Sequence, residues 1–489
     1  VSVMPAPWVE VDGIRIYCGS DRLDQGVTIL DDLSIDWGRE HPLADRGTTT
    51  AQFRLWDADG YWLARAVATL TPSSPSPILG VSVVIGWTAG TVTRIIFRGT
   101  ISNADISPSK RTVTEHTTRR GWILDITATE RVTDLGSAKV RDNVQYWPAE
   151  SAIVRANRIK DEITAAGVDI AAVYFEPDTV SWPMGRTKVQ DATILQLLDE
   201  FYASFGLSWD YRPDENVTRP APIRPAQFIY LKLFYRVPDT AGDHVLSTVP
   251  ATLTGFGEDT ATYWPAPVRG CDVTVDGRMA IDRSDRNNFI RITYLRADGS
   301  EFTTAGTWAG VTKTRVREVK SWLNLDSPNQ VNADRIYTHQ WDYVYSSNAP
   351  AMPKVTLDTR HTGGFMGVEQ AFTLTRCSQS WSRVVISGNQ YAAALGLSPD
   401  FQVIGGTVRY SRDRWIVEMI PAWVAGITAK RANTWQEMTD GNAVWAALSW
   451  NDPTARLDES ITWADLTHIA NGLIDGPQFT QTYPAQEVP

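Results

Sequence analysis

The hydrophobic period of this chain changes twice, and that double switch constrains its fold more than any other feature. Near the start, apolar residues alternate: Val9 and Val11, then Asp12-Gly13, then Ile14 and Ile16 around Arg15. A period of two with a D-G step between the runs predicts a β-hairpin with a tight turn. Further strands are predicted at residues 50–56, 80–87, 91–98 and 122–129, the last with Trp122, Leu124, Ile126 and Ala128 on one face. Residues 1–145 therefore read as an N-terminal β domain.

The period then lengthens. Ile153, Ala156, Ile159, Ile163 and Ala166 recur at helical spacing, with Gly167 placed to end the helix. A second helix is predicted from Asp191 as its cap, through a stripe of Ile194, Leu195, Leu198, Phe201, Tyr202 and Phe205, to a stop at Gly206. A strand is expected at 207–211. The prolines of 212–226 predict a loop, because proline cannot donate to a ladder. Residues 146–267 thus read as a helix-containing α+β domain with a Pro-rich loop. Alternation returns from about residue 268, with Asp276-Gly277 and Asp298-Gly299 as hairpin turns around Ile290, Ile292 and Tyr294. One helix is expected at 328–344, where Ser327 would cap and Pro328 would open it. Strands resume at Lys354 and run to about Pro421, so 268–424 reads as a second β domain with one helix.

Residues 425–489 carry a W-x-x-[LM]-[ST] unit three times, at Trp435/Met438/Thr439, Trp445/Leu448/Ser449 and Trp463/Leu466/Thr467. The unequal spacing excludes a regular solenoid. Short turns that plug into a neighbouring surface are expected, making Trp435, Trp445 and Trp463 the candidate partner-interface residues. The predicted class is mainly β with a smaller α/β part: two β-barrel-like domains, a helix-containing insertion and a Trp-rich C-terminal segment.

Composition enters as a filter. A chain of 489 residues should form two to four domains. Its longest apolar stretch, 78–87, falls short of the roughly 20 residues that span a bilayer, so no transmembrane helix is expected. The first residues lack the basic and apolar regions of a secretory signal, which argues against export by that route. Cys18, Cys271 and Cys377 are too few and too scattered for a disulfide framework or a metal site, and buried reduced thiols are expected. A net charge of −10 opposes binding to duplex DNA. The 20 tryptophans favour interlocking surfaces, with core burial preferred over stacking on carbohydrate or on a partner.

The chemistry-bearing motifs are missing. No two histidines share the i, i+4 spacing of a helical zinc site, and there is no HExxH, GxSxG, P-loop or GxGxxG after a strand. Asp57-Ala58-Asp59-Gly60 opens like a calcium loop, but Tyr61, Trp62 and Ala68 stand where the loop needs a ligand, a glycine and a bidentate carboxylate. A turn between two strands is the preferred reading there. No catalytic residue, cofactor or metal ligand is expected.

Taken in order, several segments resemble the hub-type minor tail proteins of long-tailed phages, especially those of actinobacterial hosts. Residues 34–39 (SIDWGR), 50–62 (TAQFRLWDADGYW), 94–102 (RIIFRGTIS) and 123–136 (ILDITATERVTDLG) resemble that family's opening strands. Residues 194–211 resemble its helix-then-strand element, and 287–294 and 403–422 its later strands. The resemblance covers most of residues 9–470. The proline-rich 212–226 and the stretch 236–266 depart from it. What it implies is a homotrimer at the tail tip, presenting two β domains per subunit to a hexameric tube. The implied partners are distal tail or tube proteins, the tape measure protein and tip or fibre proteins. It also implies a lumen through which DNA passes without specific nucleic-acid binding, and assembly in the host cytoplasm. A receptor-binding tail protein that recognises host surface glycans is the alternative, and a wall-degrading tail enzyme is the third class.

Overall fold

The computed structural model describes residues 5–67 except 41, 43 and 45; 78–175 except 116, 142 and 143; 181–221; 228–235; 248–255; 272–276; 289–307; 316–324; 336, 339–341, 343 and 344; 354–358; 383–387; and 400–423 except 412 and 413. The protein is mainly β with few helices. Among the described residues no helix is long and apolar enough to cross a membrane.

The N-terminal unit is built from β1 (Pro7–Val11), β2 (Ile14–Tyr17), β3 (Ile29–Gly38), β4 (Thr50–Asp57), α1 (Tyr61–Val67), β5 (Ser82–Ala89), β6 (Val92–Thr114) and β7 (Thr117–Glu130). Asp12 and Gly13 both take positive φ, 51° and 76°, as the two central residues of a type I′ hairpin turn must. The strands run β2-β1-β5-β6-β7-β4-β3. A Cys18–Leu30 bridge brings the end of β2 back beside β3, so the sheet curls into a barrel-like wall. Leu124, Ile126 and Ala128 of β7 point into it and are buried, as their alternation predicts. Cys18 is half-buried rather than buried, because it lies at that seam.

The D-A-D-G step joins a strand to a helix, not two strands. The Asp57 carboxylate accepts from the backbone N–H groups of Gly60 (3.1 Å), Tyr61 (3.2 Å), Trp62 (2.8 Å) and Leu63 (3.2 Å). Helix starts leave such donors without intrahelical partners, and a single carboxylate here supplies them. That is why Asp57 is fully buried although charged.

The next unit holds β8 (Tyr146–Trp147), β9 (Glu150–Ser151), α2 (Ala152–Ala165), β10 (Ala172–Val173), β11 (Pro183–Met184), β12 (Thr187–Lys188), α3 (Ile194–Ala203), β13 (Ser208–Arg212) and β14 (Val217–Ala221). The cap of α3 is Thr193, not Asp191. Its hydroxyl accepts from Gln196 N (3.2 Å) and the Gln196 amide oxygen accepts from Thr193 N (3.0 Å), a reciprocal capping box. Ile194, Leu197, Leu198, Phe201 and Tyr202 are buried, each contributing roughly 1.5–3 kcal/mol. Part of the expected proline loop is strand: β14 pairs with β13 along five residues although it contains Pro220. Thr218 O accepts from Tyr174 N, on the side away from β13. Alternation turns Pro220 to that same side, beyond the end of β10, where its missing N–H leaves no rung broken.

The remaining strands are β15 (Phe228–Tyr235), β16 (Thr248–Gly255), β17 (Asp272–Asp276), β18 (Phe289–Leu295), β19 (Glu301–Thr307), β20 (Val316–Asn324), β21 (Lys354–Asp358), β22 (Arg383–Ser387), β23 (Asp400–Ser411) and β24 (Arg414–Trp423). They divide between two cores. Ile290, Ile292, Tyr294, Val319 and Trp322, from β18 and β20, join the core built on α2 and α3. Val355, Val408, Val417 and Met419, from β21, β23 and β24, join the core of the N-terminal unit. The Asp298-Gly299 turn closes the β18–β19 hairpin, with Gly299 at φ 87°. Residues 336, 339–341, 343 and 344 are helical, while Ser327, Pro328 and Gly277 lie outside the described residues. So do Cys271, Cys377 and the three repeat tryptophans Trp435, Trp445 and Trp463.

Candidate functional site

The place where most of the fold converges is the end of β3. This strand pairs with β4 on one edge and with β23 on the other, from Leu33↔Tyr410 to Gly38↔Gly405. The first and last parts of the described chain thereby become one sheet. The crossing is closer than side chains permit. A Cβ on Gly38, where φ is 82°, would overlap Ile404 O and the Gly405 Cα, and one on Gly405 would sit 2.5 Å from Arg39 O. Only glycine meets both the left-handed backbone at 38 and the space. Arg39 N then donates to Ile404 O at 2.8 Å, which extends the join by one rung.

Behind this crossing lies a buried ionic cluster. The Arg39 guanidinium donates to Ala44 O (3.2 Å), Ser208 Oγ (2.5 Å) and Trp209 O (3.2 Å). Arg46 is held between two carboxylates, hydrogen-bonded to Glu130 and, at 3.2 Å, to Asp210 Oδ1. Its guanidinium also lies 4.9 Å from the centre of the Trp209 ring. Arg39, Arg46 and Glu130 come from the N-terminal unit, while Ser208, Trp209 and Asp210 come from β13. Later residues close the group, because Ser208 N donates to the hydroxyl of Tyr343, in the helical segment (3.0 Å), and Val408 of β23 lines the adjoining cavity. A second seam runs beside it: Ile95 N donates to Asp214 Oδ1 (3.1 Å) and Arg98 Nε to Pro213 O (2.6 Å), tying β6 to the β13–β14 turn.

Burial dominates the electrostatics. It pushes the Glu130 carboxyl up to about 7 against the opposing pull of Arg46, and it raises Asp210 for the same reason. Burial lowers Arg39, while Arg46 is raised because its two carboxylate partners outweigh its own desolvation. A carboxyl near neutrality in a pocket can mark a general acid. Here the adjoining cavity, lined by Trp37, Thr49, Glu130, Asp210 and Tyr211 among others, has a volume of ≈ 20 Å³, room for about one water. No substrate fits beside Glu130. Among the described residues no group of three His, Cys, Asp or Glu could hold a metal ion. The arrangement is a clamp: the Arg39 and Arg46 guanidiniums, the Glu130 and Asp210 carboxyl groups and the β13 backbone hold one another inside a three-way joint.

Among the described residues ten tryptophans, including Trp8, Trp56, Trp62, Trp87, Trp209 and Trp322, are buried, which places them in the cores. Trp209 stacks on Tyr202 (5.8 Å between centres, planes 20° apart) and donates to Asp199 Oδ1 at 2.7 Å. Sequence reading missed Arg39, Arg46, Glu130 and Asp210. Each sits in or beside a strand where a charged residue looks like an ordinary solvent-facing position.

The sequence matches no family model and no curated protein. Several solved structures align with most of this chain at low identity. A tail protein from Neisseria meningitidis MC58 aligns with 88% of this chain and 99% of its own, at 13% identity and a TM-score of 0.47. The 43 kDa tail protein of prophage MuSo2 from Shewanella oneidensis aligns with 85% of this chain and 98% of its own, at 11% identity and a TM-score of 0.45. The prophage tail protein gp18 from Listeria monocytogenes EGD-e aligns with 90% and 99%, at 9% identity and a TM-score of 0.38.

Proposed function

We propose that this chain is a structural subunit of a phage tail tip, a hub-type minor tail protein. In this reading it closes or extends the tail tube, anchors the tape measure protein and carries tip or fibre proteins. The observation that carries it is the β3–β23 join. One chain supplies two β parts fixed edge to edge in a single sheet, braced by a buried clamp to a third, helical part. A subunit that contributes two rigid β parts lets a trimer face a six-fold tube with a closed ring. The ordered motif resemblance of residues 9–470 supports the same assignment. The role in this reading is mechanical and not catalytic: the buried Glu130 carboxyl, which burial raises to about 7, is held by Arg46 beside a water-sized cavity.

Two measurements test this reading. Native mass spectrometry of the complex extracted from virions should give a trimer, and monomers or dimers alone would remove the hub assignment. Purified protein should not hydrolyse host peptidoglycan or polysaccharide. Turnover abolished by one Asp or Glu substitution would move the chain to the wall-degrading class.

A further inference from the structure

The longest strand among the described residues, β6, ends in an arm. β6 pairs with β5 only as far as Thr100, and β7 pairs with β4 only from Trp122 onward. Between Ser109↔Gly121 and Thr114↔Thr117 the two strands have only each other among the described strands. Within this arm the register sets Lys110 directly opposite Arg120 and Arg111 directly opposite Arg119. Like charges facing across a ladder are destabilising, and here two such pairs are consecutive. The inner pair is compensated: Arg111 bonds Asp31, and Arg119 bonds Asp59 (3.1 Å) and Asp24 O (3.0 Å). The other pair is not. Lys110 and Arg120 are exposed and have no hydrogen bond or ion pair among the described residues.

The same hairpin carries the opposite charge on its other face. Asp105 lies opposite Asp125, and the row continues through Arg54 to Asp32 across β6, β7, β4 and β3. Asp32 and Asp125 share the Arg54 guanidinium and each keep 50% of their side-chain surface exposed, while the exposed Asp105 accepts only from Asn103 Nδ2 (3.2 Å) among the described residues. The register from Asp105 to Lys110 is continuous and the offset is odd, so alternation sets the two groups on opposite faces of the ribbon. Arg111 and Arg119 share the carboxylate face but are paired with Asp31 and Asp59. A surface with unpaired cations on one face and excess carboxylates on the other therefore favours a contact in which one copy's basic face meets the next copy's acidic face. Such a contact is head to tail, and head-to-tail contacts that rotate into closure make rings.

We propose that Lys110 and Arg120 dock on the Asp32–Asp105–Asp125 row of a second copy of this chain. The inference rests on the ring reading above and names its contact. The net charge of −10 favours a basic arm as the link between copies that otherwise repel.

The test uses the full chain and compares assembly with thermal unfolding. Lys110→Gln with Arg120→Gln removes the opposed charges, so the unfolding temperature should hold or rise slightly while assembly weakens by tenfold or more. A merely structural role would move both readouts the same way. Lys110→Glu with Arg120→Glu should abolish the oligomer, and adding Asp32→Lys with Asp105→Lys should restore it by exchanging the two signs. If the arm variants leave the ring intact, this inference falls and the ring reading stands. If the wild-type chain is monomeric at every concentration, both fall. If a duplex DNA probe binds the arm, and the reversal abolishes that binding but not assembly, the arm is a nucleic-acid contact and the proposal is overturned.

Discussion

Two regions of this molecule crowd like charges together, and they resolve the conflict in opposite ways. At the β3–β23 crossing, Glu130 and Asp210 approach one guanidinium inside the protein, and Arg46 bonds both. On the β6–β7 arm, Lys110 faces Arg120 in water, with neither engaged among the described residues. The difference follows from the cost of desolvation. A buried charge left unpaired costs several kcal/mol, so a fold that keeps the junction must also complete its pairs. An exposed charge costs little to leave unpaired, so the arm tolerates repulsion that only an outside partner would relieve. Charges at the junction therefore report on folding, and charges on the arm report on association.

The sharpest way to break this contrast is Arg46→Met. It strands two carboxylates in the interior and should destabilise the chain by about 3 to 5 kcal/mol in denaturant unfolding. A loss below about 1 kcal/mol would mean that the junction is effectively solvated and that the two regions do not differ.

The next test is pH. Glu130 keeps its proton in the folded state up to about 7, against 4.5 for an ordinary glutamate, so the folded chain binds more protons in that interval than the unfolded one. Stability should therefore fall as pH rises from about 4.5 to about 7, and level off above, by an amount on the order of 1 to 3 kcal/mol. Glu130→Gln should flatten that slope. Unfolding curves at several pH values that rise across the interval in the wild type, or keep the same slope in the variant, would contradict the assigned burial.

Gly38→Ala asks whether the close crossing is what keeps the junction dry. It introduces a side chain at φ 82° against Ile404 O, and a cost of about 1 to 3 kcal/mol is expected, with the Glu130-dependent slope reduced as water gains entry. An unchanged slope would separate the crossing from the clamp. The smallest effect belongs to the arm: Lys110→Gln with Arg120→Gln should stabilise the isolated chain by only a few tenths of a kcal/mol in the same unfolding assay. Destabilisation would mean that these cations already have partners within the subunit.

How much of this was legible without coordinates depends on how local each feature is. The Asp12-Gly13 turn, the inward face of β7 at Leu124, Ile126 and Ala128, and the stripe on α3 all follow from neighbours within a few residues. Turn stereochemistry and side-chain periodicity act at that range, so sequence alone determined them. The cap of α3 was misread by two residues, because Asp191 and Thr193 both suit the position and only Thr193 meets Gln196 at the right spacing. The D-A-D-G step showed a turn but not its exit, since a strand and a one-sided short helix share the same apolar anchors.

Other features were decided only by tertiary structure. Pro220 sits in a strand because its missing donor faces past the end of β10, a fact about a neighbour some fifty residues away. Alternation identified β18 and β20 as strands, yet the same pattern serves either core, and packing against α3 through Trp322 and Ser204 chose between them. Arg39, Arg46, Glu130 and Asp210 become a clamp only when β3, β7 and β13 meet. A charged residue in a strand looks the same in sequence whether its face meets water or another part of the chain, and long-range pairing alone sets which it is.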